Sequence, residues 1–166
     1  MLVVLRDDGR APAGPETARG AGLGRLDELV ERVGEAGVPV EVSITGTAYP
    51  LPPGIDLCAY RVVQEALTNV IKHAPAARTT VRVHYGEDEV RVRVKDDGSA
   101  RAAARTGARV SAAAPGGTGQ GLIGMRERAT IYHGTVTAAP APGGGFEVSL
   151  RVPVPRAAAE ARARRE

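Results

Sequence analysis

Leu23, Leu26, Leu29, Val30 and Val33 recur at three- and four-residue intervals, the spacing of one helix face, and Gly34 and Gly37 close the pattern. Val38 to Ile44 then alternates apolar with polar residues, which predicts a strand. Asp56 is the expected N-cap of a long helix reaching about Ala74, where Pro75 enforces a stop. Thr80 to Tyr85 and Glu89 to Lys95 alternate Val with Arg around the turn residues Gly86, Glu87 and Asp88. That pattern predicts an antiparallel hairpin with one buried and one wet face. A further helix is expected over about Gly121 to Tyr132, with Leu122, Met125 and Ala129 on one side. Two last strands, Thr135 to Ala139 and Phe146 to Val152, flank the turn Pro140 to Gly145. The order predicts an α+β, two-layer sandwich with helices on one face of a mixed, mostly antiparallel sheet, and excludes a doubly wound fold.

The remaining segments divide the chain. Met1 to Arg6 is an apolar stub, and Asp7 to Gly24 is a linker rich in Gly, Pro and Ala. Gly98 to Gly119 has almost no large apolar residue, and a segment of that kind inside a folded body is expected to be a lid. We therefore expect an apolar stub and linker over 1–22, one folded domain over 23–154 and a disordered Ala/Arg-rich tail over 155–166. A chain of 166 residues buries a core without a disulfide or metal staple. That core must be built of Val, Leu, Ile and Ala, with Tyr60, Tyr85, Tyr132 and Phe146 as its large pieces.

The formal charge is +3, but the tail from Arg156 holds four Arg and two Glu, so the body is nearly neutral. No basic patch is expected outside the tail, and nucleic acid is not an expected partner. Cys58, the single cysteine, falls on an apolar helical pattern and reads as a small buried hydrophobe. The apolar run Leu2 to Leu5 is far short of a membrane helix or a signal-peptide core, so a cytoplasmic location is expected.

Three elements carry chemistry. On the long helix, Val63, Ala66, Leu67, Val70, Ile71 and Ala74 occupy one side, and Glu65, Asn69, Lys72 and His73 form a stripe opposite. Such a stripe can be a solvated face. Asn is nevertheless a poor exposed mid-helix residue, and this set of carboxylate, amide, ammonium and imidazole suits a hydrated Mg²⁺ and phosphate oxygens. Val94-Lys95-Asp96-Asp97-Gly98 runs a strand into two carboxylates and a glycine. It is either an acidic turn or a pocket in which an Asp accepts from a ligand amino group while Gly allows close approach. Gly116-Gly117-Thr118-Gly119-Gln120-Gly121-Leu122 leads into a helix, and is either a flexible link or a set of bared N–H groups for an anion. It lacks the ending of a P-loop and the setting of a dinucleotide fingerprint.

In this order and spacing, the three elements resemble the N, G1 and G2 boxes shared by histidine kinases, Hsp90, type II topoisomerases and MutL. Tyr60 to Ala74 and Gly121-Leu122-Ile123-Gly124-Met125-Arg126-Glu127-Arg128 are similar to the kinases that pair with nitrate-type helix-turn-helix response regulators. The resemblance spans about Gly22 to Pro153 and implies the Bergerat-type ATP-binding fold of a sensor histidine kinase. It implies ATP and Mg²⁺ as cofactors, with Asn69 on the metal, Lys72 and His73 facing the phosphates, and Glu65 polarising the attacking imidazole or organising the metal. Asp96 would accept from the adenine amino group and Gly98 would floor the pocket. Gly117, Gly119 and Gly121, with Leu122, would wrap the phosphates, and Ser149 would supply a hydroxyl behind Asp96. Ala100 departs from the pattern, where a second glycine is common. None of His73, His84 and His133 has the setting of a phosphoacceptor, and Met1 to Arg6 resembles the end of a dimerisation helix pair. The implied partners are a histidine-bearing dimerisation domain and, indirectly, a response regulator, with this chain a monomer that transfers phosphate in trans. The other readings are a non-catalytic domain that titrates a partner and an anti-sigma-factor serine kinase.

Overall fold

The computed structural model describes residues 22–74, 77–98 and 118–155. Residues 1–21, 99–117 and 156–166, which hold most of the expected N-terminal stub and linker, of the expected lid over Gly98 to Gly119 and of the expected tail, lie outside these described residues, and Ala100 and Gly117 with them.

Leu23 opens the ordered chain in a 3₁₀ turn, Leu23–Arg25, that continues into helix α1, Leu26–Glu35. Leu26, Leu29 and Val33 are its buried stripe, and Asp27 and Glu28 in the first turn suit the positive end of the helix dipole. Strand β1 covers Val40–Gly46, two residues later than the alternation suggested. The reason is local. Gly37 turns back with φ 91°, Val38 drops into the core at 1% exposure, and Pro39 lends its carbonyl to the Thr79 N–H at 2.9 Å.

Helix α2, Pro53–His73, starts three residues before Asp56. Proline at N1 has φ pre-set for a helix and no N–H to leave unpaired. Asp56 therefore caps a different element: its Oδ1 accepts from the Leu23 N–H at 2.9 Å, tying the 3₁₀ turn to α2. Strands β2, Thr79–Tyr85, and β3, Glu89–Asp96, form the expected hairpin. Helix α3 covers Thr118–Ile131, and strands β4, Thr135–Pro140, and β5, Phe146–Pro153, complete the sheet.

The sheet order is β1-β2-β3-β5-β4. Among the described residues only β1 and β2 are parallel, with α2 as the crossover that a parallel pair requires; the other three pairings are antiparallel. Val81, Val83, Val90, Val92, Val94, Val148, Leu150 and Val152 point to one face, where they meet Val63, Leu67 and Met125 of the helices in one continuous core. The α+β sandwich read from the pattern is what forms. Cys58 is 4% exposed, and burial pushes its thiol pKa up, as befits a core hydrophobe. Phe146 departs from its expected core place at 38% exposure. Tyr49, which the pattern left aside, packs edge-on against Tyr85 with ring centroids 5.5 Å apart.

The opposite face of the sheet corrects the expectation of no basic patch. The Val/Arg alternation of two adjacent strands, continued in β5, places Arg82, Arg91, Arg93, Lys95 and Arg151 on that one surface. No helix among the described residues is long and apolar enough to cross a membrane.

Candidate functional site

The topology brings the three chemical elements to one end of the sheet. A short connection leads from His73 at the end of α2 to Thr79, and Thr79 is in register with Asp96, so the polar stripe of α2 closes on that end. Helix α3 enters β4 at Thr135, which pairs with Arg151 far from Asp96, so its first turn points back toward Asp96. Two glycine contacts fix α2 and α3 as antiparallel neighbours. A Cβ on Gly54 would lie 2.3 Å from the Tyr132 hydroxyl, and one on Gly121 would lie 2.2 Å from Glu65 Oε1.

The second contact is chemical as well as steric. Helix α3 begins at Thr118, earlier than the glycine pattern suggested, so Gly119 and Gly121 lie within its first turn instead of in a loop before it. The first four N–H groups of a helix have no partner within it, and the dipole makes that end positive. Glu65, half-buried on α2, sets its carboxylate against the Cα of Gly121 there. One turn on, Asn69 is also half-buried, and Lys72 and His73 are exposed in the last turn. Leu122 is partly buried against the core.

Asp96 is a buried carboxylate, 7% exposed, at the end of β3. Its Oδ1 accepts from the Gly98 N–H at 2.9 Å and its Oδ2 from the Phe146 N–H at 3.3 Å. A carboxylate has roughly four lone-pair sites, so each oxygen keeps capacity for an outside donor. Gly98, at φ 54°, and Gly145, at φ 82°, sit back to back: a Cβ on Gly98 would meet Gly145 N at 2.6 Å, and one on Gly145 would meet the Asp96 carbonyl oxygen at 2.0 Å. Any other side chain would force the strand ends apart. Ser149 is not behind Asp96. It pairs with Arg93, on the other face of the sheet.

Residues 55–156, which include the polar stripe of α2, Asp96 and the first turn of α3, match the family described as "Histidine kinase-, DNA gyrase B-, and HSP90-like ATPase". The chain belongs to this ATPase family. Its curated relatives include sensor histidine kinases. Sensor histidine kinase YxjM of Bacillus subtilis (strain 168) is 31% identical over 135 residues, covering 80% of this chain and 30% of its own length. The oxygen sensor histidine kinase NreB of Staphylococcus carnosus (strain TM300) is 34% identical over 118 residues, covering 71% of this chain and 32% of its own. The blue-light activated histidine kinase of Erythrobacter litoralis EL346 shares the fold, with TM-score 0.59 and 17% identity over 81% of this chain and 45% of its own. The chain thus carries the ATP-binding catalytic domain of the sensor histidine kinases, and spans about a third of the length of the curated relatives it matches.

The cluster around Asp96 has two members that the sequence reading passed over. The backbone of Phe146 holds one oxygen of Asp96, and Gly145 makes that approach possible. Three consecutive glycines ahead of an alternating strand were the available signal, since a hairpin turn alone has no use for so many.

Proposed function

We propose that this domain binds ATP with Mg²⁺ at the Asp96 end of the sheet and presents the γ-phosphate to a histidine on a separate dimerisation domain. The observation that carries the reading is the Glu65–Gly121 contact: it sets a carboxylate and the bared first turn of α3 on the same side as the polar stripe of α2. Asp96 would accept from the adenine amino group on lone pairs its backbone donors leave open, with Gly98 as the floor of the pocket. Phe146 is on the core-side face of β5 and exposed beside Asp96, so its ring would border the base.

The first-turn N–H groups at Gly119 and Gly121 suit phosphate oxygens, with Gly117 ahead of them and Leu122 behind. Lys72 and His73 would add donors from the end of α2. Asn69 offers an amide oxygen and Glu65 a carboxylate, the hard oxygen donors that Mg²⁺ takes. When bound, Mg²⁺ supplies charge neutralisation between the β- and γ-phosphates. The transfer breaks the bond between the γ-phosphorus and the ADP oxygen and forms one to an imidazole nitrogen of the incoming histidine. Glu65 is the group here that can hold the proton on the other imidazole nitrogen, so that the attacking one keeps its lone pair. Rate then comes from placement and charge. A response regulator would receive the phosphate from that histidine, and this chain by itself would be a monomer with little autophosphorylation.

Calorimetry with Mg·ATP and Mg·ADP tests the pocket. Asp96→Asn should weaken both by roughly ten- to a hundredfold, the worth of a hydrogen bond to a charged group. Labelled ATP given to the chain alone and to the chain with a separate acceptor domain tests the transfer. Label should reach the acceptor histidine and not this chain. Tight nucleotide binding with no transfer would leave a titrating, non-catalytic domain.

A further inference from the structure

The open face of the sheet is built at a cost. Arg82 stands directly opposite Arg93, and Arg91 directly opposite Arg151. Like charges in cross-strand register destabilise a sheet. One of the two pairs is relieved from within, because Glu89 bridges Arg91 and Arg151. The other is relieved only in part: Glu147 pairs with Arg93 at 3.3 Å. Among the described residues no carboxylate forms an ion pair with Arg78, Arg82 or Lys95. These side chains border a hollow of about 290 Å³ together with Asp96, Asp97 and Glu147. Asp97 is already held, accepting from the Arg78 N–H at 2.9 Å.

We propose that this face docks an acidic protein surface, one that sets closely spaced carboxylates over the Arg82–Arg93 pair. Three observations select that occupant. No Phe, Tyr or Trp stands among the outward residues of β2, β3 and β5, so bases would find no stacking platform. The chain's own segments outside the described residues do not fit either: 1–21 is balanced in charge, and 99–117 and 156–166 each carry excess Arg. An acidic protein surface with a few basic residues of its own matches both the cations and the interleaved carboxylates. The Arg82–Arg93 pair lies outside the nucleotide pocket, because both side chains point away from the face that α2 and α3 cover, and the hollow beside the pair meets that pocket at Asp96.

The test uses the whole chain, fluorescent poly-L-glutamate as the acidic probe and an oligothymidylate of equal charge as the competitor class, across a series of salt concentrations. Poly-L-glutamate should bind and weaken as salt rises, and the double variant Arg82→Glu, Arg93→Glu should lose roughly tenfold or more. Replacing Arg156, Arg162, Arg164 and Arg165 with Gln should leave most of that binding in place. Arg82→Gln, Arg93→Gln removes the repulsion without adding charge, so it should melt no lower than the parent while also losing binding, which separates docking from folding. The proposal is overturned if the sheet variants bind as the parent does, if only the tail variant loses binding, or if the oligothymidylate binds more tightly. Self-association abolished by Arg82→Glu would overturn it too, by assigning the face to a second copy, whose α1 exposes Asp27, Glu31 and Glu35.

Discussion

Single atoms decide the site at Gly121 and Glu65. A methyl group on Gly121 would fall 2.2 Å from Glu65 Oε1, so Gly121→Ala must push the carboxylate off the helix end or part α2 from α3. The atom met is the free end of a flexible side chain, so the cost should lie at or below the low end of the roughly 1–3 kcal/mol of core overpacking, and a thermal melt should show it. Because the collision is with one side chain, Glu65→Ala in the same chain should restore most of the lost stability while leaving phosphotransfer impaired. A double-mutant cycle with no coupling between the two positions would show that the contact does not hold the helices. Glu89 makes the pH prediction. Hydrogen bonding from Arg151, and then from Arg91, holds its carboxyl pKa below the ordinary 4.5. A depressed folded pKa contributes stability that is present above the ordinary value and is lost as pH falls through the folded one. The stability gap between the parent and Glu89→Gln should thus be constant near neutral pH and close in acid, as read by urea unfolding at each pH. Exposure of both arginines keeps the gap small.

At the scale of elements, the two strand ends around Asp96 depend on Gly145. Its φ of 82° and its approach to the Asp96 carbonyl leave no room for a side chain. Gly145→Ala should loosen the Phe146 N–H from Asp96 and weaken nucleotide binding in a chain that still folds, since Val148 to Val152 keep their pairing farther along; amide chemical shifts of Gly98 and Phe146 would report it. The same contact shows where sequence reading ends. Strands β2 to β5 were legible because Val alternates with polar residues over a fully one-sided core, and α2 was legible because its stripe is long. Residue types in order also marked out Asp96, Asn69 and the glycines of α3. Helix starts were not legible: Asp56 has the look of a cap, yet its carboxylate serves Leu23, a residue thirty-three positions away. Register was not legible either, so Ser149 was placed behind Asp96 when pairing sets it against Arg93. The basic face escaped notice for the same reason, since a cation every second residue looks unremarkable until two strands lie side by side.

The described residues of the molecule form a single sheet with one face covered by helices, and stability should be graded across that sheet. Strand β3 lies at the centre, hydrogen-bonded on both sides, with Val92 and Val94 almost wholly buried. At one edge, β1 pairs only with β2 among the described residues, and Ile44 near its end is 56% exposed. Amide exchange should therefore be slowest through β3 and β5, by opening of the entire domain, and fast at Thr45 and Gly46, by local fraying. Nucleotide adds a second gradient. A ligand at a hundred times its Kd stabilises the native state by about 2.7 kcal/mol, so the slowest amides should slow by roughly a hundredfold together wherever the pocket lies. Locally exchanging amides distinguish positions instead, because they gain protection only if the ligand or the groups it orders touch them. Gly98 and Gly121 should gain with Mg·ATP, and Gly86 and His133, near the far end of the sheet, should not. Gains at that far end, or a global slowing with none at Gly98, would put the nucleotide somewhere other than the Asp96 end of the fold.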